Sequence, residues 1–178
     1  MKSLSYISIL YLTVIATFFI MQNYSSYRDN KMLDPIITEA LAGFNQNRSD
    51  ISIFISGPAI SKAEAKDTNE MYKQVNAFLL NSVAYHKAVP LSDDGVRICG
   101  NDACLPHILR ISDKQHTMYI MPVYYLKNNK DDSFSIQFIS GVLAVSIDDI
   151  DKNIKYIQNQ SFFDWLKNMQ WQPYFKLD

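Results

Sequence analysis

The chain has 178 residues, with 17 Lys and Arg against 18 Asp and Glu, a net charge of −1, and 48% hydrophobic residues. Charges of both signs interspersed along such a chain exclude a dedicated nucleic-acid surface and an electrostatic membrane clamp. Glycine is scarce (5) while tyrosine (11) and phenylalanine (10) are plentiful, which excludes a low-complexity or disordered chain.

In chain order, the first element is a charge-free apolar run over residues 4–21, just after Met1 and Lys2. About eighteen residues at 1.5 Å rise give roughly 27 Å of helix, close to the thickness of a bilayer's hydrocarbon core. The run predicts an N-terminal transmembrane helix, a membrane anchor over residues 1–23. The alternative is a cleavable signal peptide, which calls for a shorter apolar core and a small-x-small cleavage site. Instead Met21 is followed by Gln22-Asn23-Tyr24-Ser25-Ser26-Tyr27. Flanking charges hardly set the orientation, because Arg28 and Lys31 are diluted by Asp29 and Asp34. Two closely spaced cysteines favour an outward-facing domain over residues 24–178, on the periplasmic side of a bacterial inner membrane.

After the run, Asp34-Pro35 reads as an N-cap with proline in the first turn, and Ile36, Ile37, Ala40, Leu41 and Phe44 recur at helical spacing to about Asn47. Ile51-Ser52-Ile53-Phe54-Ile55 alternates as a strand that Gly57-Pro58 ends. Ser61-x-x-Glu64 has the form of a capping box, so a long helix is expected to follow it, carrying Met71, Val75, Phe78, Leu79 and Val83 before Pro90. Cys99-Gly100-Asn101-Asp102-Ala103-Cys104 holds turn residues between its cysteines. It reads as a hairpin closed by a structural disulfide between Cys99 and Cys104. A redox pair would need Cys-x-x-Cys, and a zinc site needs ligands that this chain lacks. Residues 117–126 and 134–147 read as two strands joined by the polar turn Lys127-Asn128-Asn129-Lys130-Asp131-Asp132. Asp148 or Asp149 is expected to cap a helix bearing Ile150, Ile154 and Ile157, and Phe162-Phe163-Asp164-Trp165-Leu166 to begin another. The fold class is α+β: the membrane helix, then one domain with an antiparallel sheet of about four to five strands, packed by a long helix and by C-terminal helices.

Met118-Tyr119-Ile120-Met121-Pro122-Val123-Tyr124-Tyr125, a polar turn, then Gly141-Val142-Leu143-Ala144-Val145-Ser146-Ile147-Asp148-Asp149-Ile150-Asp151 resembles the C-terminal half of Cache-type sensor domains, PAS-like modules found outside bacterial membranes. The resemblance covers residues 118–151 and implies a ligand pocket beside a strand that runs into a helix. In amine-binding relatives an acidic residue of that strand holds the ligand's ammonium. The matching position here is Ser146, whose neutral hydroxyl cannot supply that pairing, so the implied ligand is small and apolar or weakly polar.

Catalytic and metal signatures are thin. His86, His107 and His116 fall on different expected elements, although His107 and His116 could approach across paired strands, as a pH response or a metal contact would need. Asp149-x-Asp151-x-Asn153 starts like a calcium loop, but Ile154 stands where the loop needs glycine and Gln160 where it needs glutamate. A helix start favoured by negative charge accounts for it better. Gly-rich phosphate loops, His-Glu-x-x-His and Gly-x-Ser-x-Gly do not occur. No catalytic residue, cofactor or metal is therefore assigned, and the chain is not read as an enzyme.

The aromatic residues carry the remaining signal. Tyr119, Tyr124, Tyr125 and Phe138 lie on neighbouring strands, and Trp171 and Tyr174 sit in a tail without helical period. Tyr124 and Tyr125 must point to opposite faces. With Ser146, these seven are the candidate ligand or interface residues. The expected function is a membrane-anchored accessory or regulatory protein in a hetero-oligomer with another membrane or envelope protein, sensing a small ligand and signalling through that partner, with no nucleic acid involved. The alternatives are a stand-alone Cache/PAS-like ligand-binding domain and an immunity protein that neutralises a toxin.

Overall fold

Among the described residues the architecture follows from eight strands that pair edge to edge while three helices cover one face. The structure, a computed structural model, describes residues 17, 33–57, 60–89, 107–128, 134–150 and 152–177. Contacts divide the chain into Met1–Met32 and Leu33–Asp178, and the account below concerns the second unit.

Helix α1 (Pro35–Gln46) starts where Asp34 accepts from the Ile36 amide, with proline in the first turn. Proline suits this position because its missing N–H would have had no helical partner. Ile37, Ala40, Leu41 and Phe44 form its buried stripe. A 3₁₀ turn (Arg48–Asp50) leads into β1 (Ser52–Gly57), which is followed by β2 (Ile60–Ala65). Helix α2 (Thr68–Leu80) is capped by Asp67, which accepts from the Glu70 amide at 3.0 Å. The short β3 (Val83–Ala84) comes next, then β4 (Ile108–Ser112), β5 (Thr117–Asn128), β6 (Phe134–Ile147) and β7 (Lys155–Gln158). Helix α3 (Gln160–Lys167), a 3₁₀ turn (Gln172–Tyr174) and β8 (Phe175–Lys176) complete the unit.

The strands form one sheet in the order β3-β7-β6-β5-β4-β1-β2-β8, and every pair is antiparallel. This corrects the expected four to five strands. Three of the additional strands replace expected helix: Val83, expected on the stripe of the long helix, lies beyond its end at Leu80, in β3 and paired with β7. Residues 60–65 extend and pair with β1, so the capping-box pattern at Ser61 lies in a strand and the helix starts at Asp67. Residues 155–158 pair with both β6 and β3 instead of continuing a helix from Asp148. Asp148 (φ 63°) and Asn153 (φ 52°) adopt left-handed backbone, which a right-handed helix cannot include. The expected transmembrane helix is likewise not among the elements: no helix of the described residues is long and apolar enough to cross a membrane. Apart from Thr17, residues 1–23 lie outside the described residues, as do Cys99 and Cys104 and the disulfide hairpin expected there.

Strand alternation gives the sheet two unlike faces. Ile53 and Ile55 of β1, Ala63 and Ala65 of β2, Leu109 and Ile111 of β4, Met118 and Ile120 of β5, and Leu143 and Val145 of β6 meet the buried stripes of all three helices in the main core. On the opposite face Ile108, Met121, Val123, Val142 and Ala144 form a smaller cluster, against which Tyr85, Val89, Ile150, Ile154 and Tyr156 pack. The remainder of that face, over β2, β1 and β4, carries no helix among the described residues.

Candidate interaction surfaces

Three places take up the candidate aromatic residues, and the first is an arm made by β5 and β6. β4 pairs with β5 only over residues 117–120, and β7 pairs with β6 only over 142–145, yet the β5–β6 ladder runs on to Asn128 and Phe134. Residues 124–128 and 134–138 thus pair with each other and, among the described residues, with no other strand. Five residues at about 3.3 Å each make a two-stranded extension of roughly 16 Å. The ladder shifts register between Pro122 and Tyr124, where Gly141 takes up φ 73°. A β-carbon there would meet Gln160 Oε1 at 2.8 Å, so both backbone conformation and space require glycine at this bend. Tyr124 and Phe138 are register partners with ring centroids 6.1 Å apart. Phe138 also meets Phe163 edge-on at 6.1 Å, and the Lys167 ammonium lies 5.2 Å from its ring centre. Burial pushes the Tyr124 phenol above its ordinary value. Tyr125 lies opposite Gln137 and is half-buried, while Ile136 is exposed near the outer end.

The second place is the helix-free face. Lys176, Glu64, Phe54, Arg110, Tyr119 and Ser146 are successive register partners across six strands. They form one lateral row on that face. Lys62 Nζ sits 3.7 Å above the Phe54 ring centre, and the Arg110 guanidinium 5.8 Å from that of Tyr119. Arg110 Nε donates to Ser112 Oγ at 3.0 Å, and the same oxygen accepts from Thr117 Oγ1 at 3.1 Å. Ser146 closes the row: it is 1% exposed, and its Oγ finds no hydrogen-bond partner among the described residues. A buried hydroxyl in that state is uncommon and costly. Of the candidates, Tyr119 and Ser146 therefore meet here, whereas Tyr124 and Phe138 belong to the helix-covered side.

The third place is the C-terminal tail, which docks onto its own domain. Trp171 is fully buried, with His107 at 5.1 Å and Phe175 at 5.6 Å between ring centroids. The Lys66 amide donates to the Tyr174 carbonyl at 2.9 Å, Lys66 Nζ donates to the Pro173 carbonyl at 2.9 Å, and β8 extends the sheet beside β2. Tyr174 itself stays exposed. Gly57 leaves room for this packing, since a β-carbon there would meet His107 Cδ2 at 2.7 Å. Burial lowers the His107 pKa, and its Nε2, like Trp171 Nε1, is buried without a hydrogen-bond partner among the described residues.

Among the described residues the other titratable groups do not assemble a reaction centre. His107 precedes β4 and His116 follows it, so the two stand at opposite ends of that strand rather than approaching each other. His116 Nδ1 meets Asp148 Oδ2 at 3.0 Å on the exposed surface. Burial pushes the Asp148 carboxyl up, but the Thr117 amide and the His116 ring outweigh it and hold the group below the usual carboxylate range. In the calcium-like run, Asp149 pairs with Lys152 at 2.7 Å, and among the described residues no three His, Cys, Asp or Glu converge as metal ligands would.

Sequence reasoning missed Phe54, Lys62 and Arg110. The first sits in a strand that was read correctly, but its neighbours Arg110 and Lys62 come from a strand 56 residues later and from a segment read as helix. No protein-family model, no curated protein and no solved structure matches the chain.

Proposed function

We propose that this protein is an accessory factor that works by associating with another protein, and that the β5–β6 arm is its principal contact element. The observation that carries the reading is the arm's extension: a two-stranded ribbon with Tyr125 half-buried and Ile136 exposed, flanked among the described residues by no neighbouring strand. An isolated ribbon gains little stability by itself and presents backbone edges suited to another chain. The reading assigns no reaction to the chain. It places the protein on the periplasmic side of a bacterial inner membrane, supported only by the apolar composition of residues 4–21 and the cysteine pair. A photo-crosslinking amino acid at position 136 in the full-length chain, in its native cells, tests the association. A discrete adduct at 136 that is absent when the same group replaces the exposed Glu39 of α1 is the expected result. No adduct, or equal labelling at both positions, sinks the reading.

A second reading, small-ligand sensing of the Cache/PAS-like kind, draws support from Ser146 alone: a buried hydroxyl without a partner among the described residues, opposite Tyr119, suits a weakly polar ligand. A thermal-shift screen of small neutral compounds tests it. A stabilising hit that Ser146→Ala removes supports sensing, and a hit that persists in that variant argues against this site.

A further inference from the structure

We infer that the helix-free face over β2, β1, β4 and β5 docks an acidic, extended segment of the partner protein, an inference that rests on the association reading above. The charge of this face runs opposite to that of the whole chain. Within these strands and the adjoining β8, Lys176, Lys62 and Arg110 supply three cations against the single carboxylate of Glu64, whereas the chain carries a net charge of −1. Glu64 is engaged by Lys176 at 3.7 Å, and among the described residues neither Lys62 nor Arg110 has a carboxylate within ion-pair distance.

Both unpaired cations are also positioned. Lys62 rests on the Phe54 ring at 3.7 Å, and Arg110 leans on Tyr119 while Ser112 holds its Nε, so that, among the described residues, its two terminal nitrogens are left for an incoming carboxylate. A cation already held in place loses less side-chain freedom on binding than one waving in solvent. Lys62 and Arg110 come from strands on either side of β1 and lie two residues out of register, about 12 Å apart at the usual spacings. Acidic residues four apart in an extended segment lie on one face and span about the same distance.

The same geometry argues against other anionic partners. Stacking of nucleic-acid bases needs open ring faces, and the cations occupy those of Phe54 and Tyr119. Docking on a membrane calls for protruding apolar anchors, and both rings are half-buried beneath their cations.

The test titrates the full-length chain into a fluorescein-labelled decaglutamate peptide at low salt. Decalysine and phosphatidylglycerol vesicles are run alongside. Saturable binding that weakens with salt is expected, with at least a tenfold loss of affinity in the Lys62→Gln/Arg110→Gln double variant. Lys73→Gln, on α2 away from this face, should change it by less than twofold. Circular dichroism melts show whether the double variant folds; if it does not, each single neutral variant is read alone, with a loss of at least threefold expected. Absence of binding, equal binding by the variants, or binding to vesicles in place of decaglutamate overturns the inference. The crosslink at position 136 separates this inference from the arm reading. Decaglutamate binding retained while the crosslink at position 136 fails would remove the arm and keep this face; the crosslink retained while decaglutamate fails would do the reverse.

Discussion

The helix-covered face of the sheet and the β5–β6 arm are built from similar residues and end in opposite energetic positions. On the covered face Phe162 stacks on Phe78 with centroids 4.8 Å apart and planes 6° from parallel, and Trp165 tilts against both. All three helices contribute buried stripes to that core. On the arm, Tyr124, Tyr125 and Phe138 are only half-buried and Ile136 is exposed. Apolar area removed from water is worth about 25 cal/mol per Å², so aromatic residues stabilise the first region far more than the second. The difference teaches that aromatic content by itself does not mark an interface here. What marks the arm is the exposed Ile136 on a ribbon that, among the described residues, pairs with no third strand.

Breaking the covered region should have the largest effect. Trp171 fills the space between His107 and Phe175 and is fully buried, so Trp171→Ala should destabilise the domain by about 3–5 kcal/mol. Urea unfolding measures this. A loss under about 1 kcal/mol would mean that the tail is a detachable peg rather than part of the core. A smaller but still sizeable loss is expected at Asn159, which joins three elements. Its side chain accepts from the Phe162 amide at 3.0 Å to cap α3 and donates to the Phe78 carbonyl at the end of α2 at 2.8 Å, and its amide donates to Gly141 of β6 at 2.8 Å. Asn159→Ala removes the cap and one of the two side-chain hydrogen bonds to the Phe78 carbonyl, which keeps that from Ser82 Oγ at 2.8 Å, a cost of about 1–2 kcal/mol. Asn159→Ser should recover part of it, because serine restores the cap but cannot reach as far toward α2. Equal losses in the two variants would assign the whole effect to the α2 contact.

The covered region was also the more legible one. Helix α1 could be read from Asp34-Pro35 and its apolar spacing, and β5 and β6 from alternation around a polar turn, because these signals are local. The misreadings occurred where a local pattern met a non-local partner. Ser61-x-x-Glu64 has the letters of a capping box, but β1 and β8 claim that segment as a strand, and the same device recurs six residues later as Asp67-x-x-Glu70, where the helix begins. Ile150, Ile154 and Ile157 have helical spacing, yet the first two pack on the helix-free face and the third in the main core. Helical spacing and a crossing between two faces leave the same trace in a short stretch of sequence. The Phe54, Arg110 and Tyr119 row was invisible for a related reason, since lateral neighbours in a sheet are fixed by long-range register. Of the seven candidate residues, alternation alone separated Tyr124 from Tyr125, and nothing in the tail's letters indicated that Trp171 would be interior while Tyr174 stayed outside.

Acid should sharpen the contrast at intermediate strength. Burial lowers the His107 pKa, so below the ordinary histidine value of about 6.5 the unfolded chain takes up a proton that the folded chain refuses. Stability is then level above that value and falls as pH drops through it toward the lower folded pKa. Trp171 and Gly57 pack against the imidazole, and neither offers a proton on His107 any compensation. Asp148 and Asp113, both held below the usual carboxylate range, add a second loss only at lower pH. Urea midpoints at pH 8, 7, 6 and 5 should show the first decline in the wild type and not in His107→Gln. An identical decline in that variant would assign the effect to other groups.

The smallest effect on stability, and the sharpest on association, is expected at Ile136. Its side chain is 38% exposed, near the outer end of a ribbon that pairs on one side only among the described residues. Ile136→Asp therefore removes little buried area and sets no charge in the core, so its unfolding midpoint should match the wild type within about 0.5 kcal/mol. A partner that covers the arm would have to bury that carboxylate without a counter-charge, which costs far more than the lost isoleucine contact was worth. The variant should thus stay as stable as the parent while crosslinking from a neighbouring arm position, such as a photo-reactive group at Gln137, disappears. Adducts that persist at wild-type yield would place the contact elsewhere on the domain. A drop of more than about 2 kcal/mol in stability would mean that the arm belongs to the packed fold after all, and the comparison between the two regions would collapse.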